Sequence, residues 1–172
     1  MKTRVCLPAA LAAAAALSFS AFAQVSLTKG AQFYDSRFIE SYTLENSYLR
    51  LTLLPERGGM ACELIDKRGG HVNLVYLNPN PGGYGGLFDD HKRWTVTPYK
   101  AEVIEQTPQK ASIRLSASTD DAAIAKTITL DGDRPAIAVA YDIANTGQEQ
   151  MGQVLFRNVL RPSGGHFTPG EL

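Results

Sequence analysis

The run Tyr48 to Leu54 constrains this chain more than any other part of it. Leu49, Leu51 and Leu53 alternate with Tyr48, Arg50 and Thr52, the two-residue period of a strand with one apolar and one mostly polar face. Turn chemistry at Pro55-Glu56-Arg57-Gly58-Gly59 ends the run. A second run, Met60 to Ile65, stops at Asp66-Lys67-Arg68-Gly69-Gly70, and a third, Val72 to Leu77, stops at Asn78-Pro79. Three short strands with glycine-bearing turns between them predict an antiparallel meander, one wall of a β-sandwich.

The rest of the chain repeats that grammar. Gln24 to Glu40 mixes polar residues with Phe33, Tyr34, Phe38 and Ile39 and reads as an N-terminal arm, with an edge strand around Phe38 to Leu44. Short strands are expected at Trp94 to Tyr99, Ala101 to Gln106 and Lys110 to Ala117, and at Gln153 to Leu160. Ile124, Ile128 and Leu130 alternate with Ala123, Thr127 and Thr129, with Lys126 as the exception on the apolar side. Ile137, Val139, Tyr141 and Ile143 make the cleanest strand, after a tight turn at Asp131-Gly132-Asp133. No helix-length apolar periodicity follows residue 23. The fold class expected is all-β, an antiparallel two-sheet sandwich. Asn78 to Asp90 carries four glycines and two prolines in thirteen residues and is expected to be a long exposed loop; loops of that length in compact domains usually serve function.

The first 23 residues have the form of a secretory signal. Lys2 and Arg4 precede an alanine- and leucine-rich stretch from Leu7 to Phe22, and Ala21-Phe22-Ala23 is a small-x-small cleavage site before Gln24. The expectation is a signal peptide over 1–23, one domain over 24–172, and a periplasmic or secreted location, with no membrane contact by the mature chain. Lysine plus arginine equal aspartate plus glutamate at 17 each, and losing Lys2 and Arg4 leaves 15 basic against 17 acidic residues. That balance, with no basic stripe, argues against a nucleic-acid partner. Cys6 goes with the signal, so Cys62 is left alone; it reads as a small buried hydrophobe and closes off a cysteine-based metal site.

Few residues carry chemistry in a recognisable pattern. No Gly-x-Ser-x-Gly elbow occurs, and His71, His91 and His166 are scattered singly, with no metal-binding pair. Gly82-Gly83-Tyr84-Gly85-Gly86 lacks the lysine-serine ending of a phosphate loop. No metal or cofactor is expected. His71 and His166 read as exposed turn residues. What remains is Asp89-Asp90-His91-Lys92-Arg93-Trp94, which sets carboxylate, imidazole, guanidinium and indole side by side at the end of the glycine-rich segment. Sugars are held by planar hydrogen-bonding groups on their hydroxyls and an aromatic face on their C–H side. Asp89, Asp90, His91, Arg93 and Trp94 are therefore candidate sugar contacts; a solvated charged turn with Trp94 as a core anchor stays open beside that reading.

Two segments resemble a known family. Leu44 to Gly59, with Asp66-Lys67-Arg68-x-Gly70 and Leu74-x-Tyr76-Leu77-Asn78, is similar to the opening of galactose mutarotase-like (aldose 1-epimerase-like) sugar-binding domains. Ile128 to Gly147 is similar to their paired central strands. The resemblance implies a large two-sheet supersandwich, of which this chain would be an incomplete, C-terminally truncated part, and a carbohydrate ligand held on a glycine-rich segment. In the family a histidine serves as the acid and a carboxylate much further along as the base. Alignment after Asn145-Thr146-Gly147 places Asn158 near the histidine's position, beside Arg157; Asn158 can hydrogen-bond a hydroxyl but cannot shuttle a proton. The resemblance thus adds Arg157 and Asn158 to the sugar contacts. It leaves His91 as a weak candidate acid, and leaves no carboxylate at the distal position. The reading is an exported carbohydrate-binding domain. An epimerase-type isomerase, the sandwich part of a carbohydrate-active enzyme and a structural or protein-interaction sandwich stay open beside it.

Overall fold

A computed structural model describes residues 24–76, 86–90, 94–151 and 156–160. The signal-like stretch 1–23, most of the glycine-rich segment, His91, Lys92, Arg93 and His166 lie outside the described residues.

The chain is all-β. Strands β1 (Ser26–Tyr34), β2 (Arg37–Glu45), β3 (Leu49–Leu54), β4 (Met60–Asp66) and β5 (Val72–Asn73) form one antiparallel sheet in chain order. After the two-residue β6 (Asp89–Asp90), strands β7 (Lys100–Gln106), β8 (Lys110–Ser118), β9 (Ala122–Asp131) and β10 (Ile137–Asn145) form a second, ordered β10-β9-β8-β7. The two-residue β11 (Phe156–Arg157) pairs with β6. Every named pairing is antiparallel, as connections of a few residues require.

The sheets face each other through alternate residues. Leu27, Leu44 and Leu51 form a cross-strand row on the first sheet, and Ile113 and Ile128 a row on the second. All five belong to one buried cluster with Leu53, Leu115 and Leu130. Asn46 stitches the layers together. Its Nδ2 donates to the carbonyls of Asp131 (2.7 Å) and Arg134 (2.9 Å), and its Oδ1 accepts from the amides of Tyr48 and Leu49. Four bonds fill the hydrogen-bonding capacity of one buried amide.

Several expected elements come out differently. The N-terminal arm is a full nine-residue strand, β1; its residues are mostly exposed, so burial imposed no alternation on them. Trp94 to Tyr99 is a turn rather than a strand. The Thr97 amide bonds back to the Trp94 carbonyl, while Thr97 and Tyr99 bond across to Gly58 and Pro55. Among the described residues of the third run, 72–76, strand pairing consists of β5 and an isolated bridge between Val75 and Leu160. Gly86 to Asp90, read as loop, contains the buried Leu87, bridged to Ala61, and then β6.

A bulge sets the two faces of β4. Thr52 pairs with Glu63 and Leu53 with Ala61, so Cys62 is the extra residue. The bulge shifts side-chain parity within β4. Ala61 therefore joins the inter-sheet core, while Met60 and Cys62 join Ile39 and Leu54 in a separate buried cluster.

Candidate functional site

The candidate residues at 89–94 and 157–158 are distant in sequence, and the fold lays parts of these segments side by side. Asp89 pairs with Arg157 and Asp90 with Phe156 in a short antiparallel ribbon. Its neighbours extend it: the Gly86 carbonyl accepts from the Val159 amide at 3.1 Å, and the Val159 carbonyl from the Tyr76 amide at 3.2 Å. The Phe156 ring lies against Tyr141 of β10, with centroids 4.2 Å apart, and is 41 % exposed.

Phe88 turns the chain into this ribbon at φ 60°, a left-handed conformation that costs a bulky residue energy unless its surroundings hold it. Both of its backbone polar groups are held by side chains. Its amide donates to Asn158 Oδ1 at 2.8 Å, and its carbonyl accepts from Lys126 Nζ at 2.6 Å. Asn158 is thus a positioning group for the ribbon, and its Nδ2 carries two donors of its own.

Sequence reasoning noted Lys126 only as a charge on an apolar face. It is fully buried, in a cross-strand row running Ala101, Leu115, Lys126, Tyr141. Its ammonium also donates to the Gly58 carbonyl at 2.8 Å and lies 4.9 Å from the centre of the Tyr99 ring. A buried lysine is tolerated only where carbonyls and aromatic faces replace water. Gly59 makes room for it: at φ 60°, a Cβ there would come within 2.9 Å of Lys126 Cε and 3.0 Å of Leu115 Cδ1. One ammonium therefore joins the second sheet, the turn after β3 and the approach to β6. The signal available in sequence was the glycine pair at 58–59 together with a lone cation on a buried strand.

Trp94 is 4 % exposed and belongs to the inter-sheet cluster, the place of a core anchor. Asp89, Asp90 and Arg157 are placed here by backbone register, and Asn158 is exposed. His71 is an exposed turn residue at φ 63°. Cys62 is buried, and burial, aided by the charge of Glu63, pushes its thiol up to about 12. It is neutral at any physiological pH and lies in the separate cluster, away from the ribbon. Among the described residues no three His, Cys, Asp or Glu side chains gather in metal-binding geometry.

A cavity of about 480 Å³ opens elsewhere, on the second sheet, among Lys100, Arg114, Ser116, Ala125, Asp142 and Ile143. Arg114 is tied there to Asp142 at 2.8 Å and Thr127 at 3.4 Å. It contains none of the residues that the sequence marks for chemistry, and the ribbon is the better candidate. No family model, characterised protein or solved structure matches the chain.

Proposed function

We propose that the chain is an exported carbohydrate-binding domain of galactose mutarotase-like type, and that the ribbon of Asp89–Asp90 and Phe156–Asn158 is its sugar contact. One observation carries the reading. Two segments some seventy residues apart, one marked by its residue types and both by the family resemblance, pair as one ribbon around the strained Phe88. Strain of this kind persists where surrounding groups over-determine a conformation, and such places cluster at ligand sites. In this reading the Phe156 ring offers an aromatic face and the Asn158 amide donates to a hydroxyl, on the ribbon whose backbone also carries Asp89, Asp90 and Arg157.

The test is a calorimetric titration with a panel of glucose- and galactose-based mono- and oligosaccharides. Asn158→Ala should weaken binding on the order of tenfold, the loss expected for one well-placed polar contact plus a loosened ribbon. A panel in which no sugar binds the parent chain, or undiminished affinity in Asn158→Ala and Phe156→Ala alike, would sink the proposal.

A further inference from the structure

The hairpin β1–β2 has two unlike faces. Its strands pair over nine positions, from Ser26 with Glu45 to Tyr34 with Arg37, yet β3 pairs with β2 only from Tyr42 to Glu45. The outer half, residues 30–41, runs on past β3 as a two-stranded ribbon, a form marginal in water by itself. It is held down on one face. Ile39 is buried against Leu54, Met60 and Cys62, and Tyr34 packs beside them. The Arg57 guanidinium stacks 5.3 Å from the Tyr34 ring and lies 3.9 Å from Asp35, and Arg37 pairs with Glu56 at 3.0 Å. Asp35 and Ser36 close the tip at φ 53° and 63°, the left-handed pair of a tight hairpin turn.

Anchoring one face projects the other. Phe33 and Phe38 are cross-strand partners there, 59 % and 72 % exposed, with ring centroids 5.3 Å apart and planes at 66°. The same face carries Glu40 and Lys29, joined as an ion pair, so the charge beside the rings sums to zero. Side chains of this class each bury about 150–250 Å², so the exposed part of the pair comes to roughly 200–300 Å². Stable dimers need about 800 Å² from each partner. The patch therefore suits one small ring better than a second protein. A neutral surround of one acceptor group and one donor group matches a neutral polyhydroxyl ligand.

We propose that Phe33 and Phe38 are an aromatic platform for the C–H face of a pyranose ring, a carbohydrate contact separate from the Asp89–Asp90 ribbon. It shares the ligand class proposed for that ribbon and none of its residues. A cross-strand aromatic pair also steadies a hairpin, so the test must separate ring recognition from stability.

The experiment is an amide-resolved NMR titration of the ¹⁵N-labelled protein with glucose- and galactose-based hexasaccharides. The expected result is movement of the amides of Gln32 to Ile39. In the double variant F33L/F38L, which keeps apolar bulk but removes the rings, affinity at the hairpin should fall about tenfold with the fold intact. F33Y/F38Y should keep it within about threefold, because the aromatic face survives. Movement confined to Phe88 and Asn158 would overturn the platform and leave the ribbon reading standing, whereas movement confined to the hairpin would do the reverse. Retained affinity in F33L/F38L, no movement anywhere, or a sedimenting dimer that dissociates in F33L/F38L would each overturn the platform.

Discussion

At the residue scale the decisive groups are polar atoms inside the protein. Lys126 spans three pieces of chain with one ammonium, and its loss strands two carbonyls at once. Lys126→Met keeps the stem and removes the donors, so it should cost about 2–4 kcal/mol, the penalty for buried acceptors left unsatisfied. Urea unfolding measures this, and faster hydrogen exchange at 86–90 should accompany it. Trp94→Ala should cost about 3–5 kcal/mol by emptying a core position. A thermal melt unchanged in that variant would show that the indole contributes little to the core. Cys62, with its thiol raised to about 12 and its Sγ turned to the Thr52 carbonyl, should resist iodoacetamide in the native protein and react once urea opens the fold.

At the element scale, strands with one clearly buried face were legible in the sequence. The parity of Leu49, Leu51 and Leu53, and of Ile113 and Leu115, translates directly into the inter-sheet core. Strand β1 was not legible, because seven of its nine residues are exposed and Leu27 alone is buried, too little to set an alternation. Nor was the Cys62 bulge, since a single inserted residue leaves composition unchanged while moving Met60 and Cys62 to another face. The candidate ribbon was visible as two polar segments, but their pairing depends on Phe88, Asn158 and Lys126 meeting in space, which no local pattern encodes. The turn after β4 carries its own electrostatics. Asp66 caps the short 3-10 turn Lys67–Gly69 by accepting from the Arg68 amide. The Arg68 side chain, with that amide, holds the Asp66 carboxyl down to about 2. A depressed carboxylate contributes its stability above its unfolded value and loses it as pH falls through the folded one. The cap should therefore weaken between roughly pH 4 and pH 2, and Asp66→Asn should flatten that part of the stability-versus-pH curve.

For the molecule as a whole, the question of reaction comes down to proton management. In the proposed reading Asn158 lies near the position where the resemblance implies a histidine; its side chain accepts from the Phe88 amide and has no acid to offer. Polarimetry with freshly dissolved α-glucose or α-galactose should therefore match buffer alone. A clear acceleration abolished by His91→Ala would restore the isomerase reading. The molecule's two layers, meanwhile, close on Asn46, whose donors reach the carbonyls of Asp131 and Arg134, 85 and 88 residues further along. A chain emerging from its N-terminus at the ribosome presents the first sheet's strands long before those carbonyls arrive. During that interval Leu44, Leu51 and Leu53 face water and Asn46 waits for its partners. Assembly of the sandwich is thus a late, non-local event, in the slow range of folding rates that long loops impose. The interval is when the nascent protein most needs a holding chaperone.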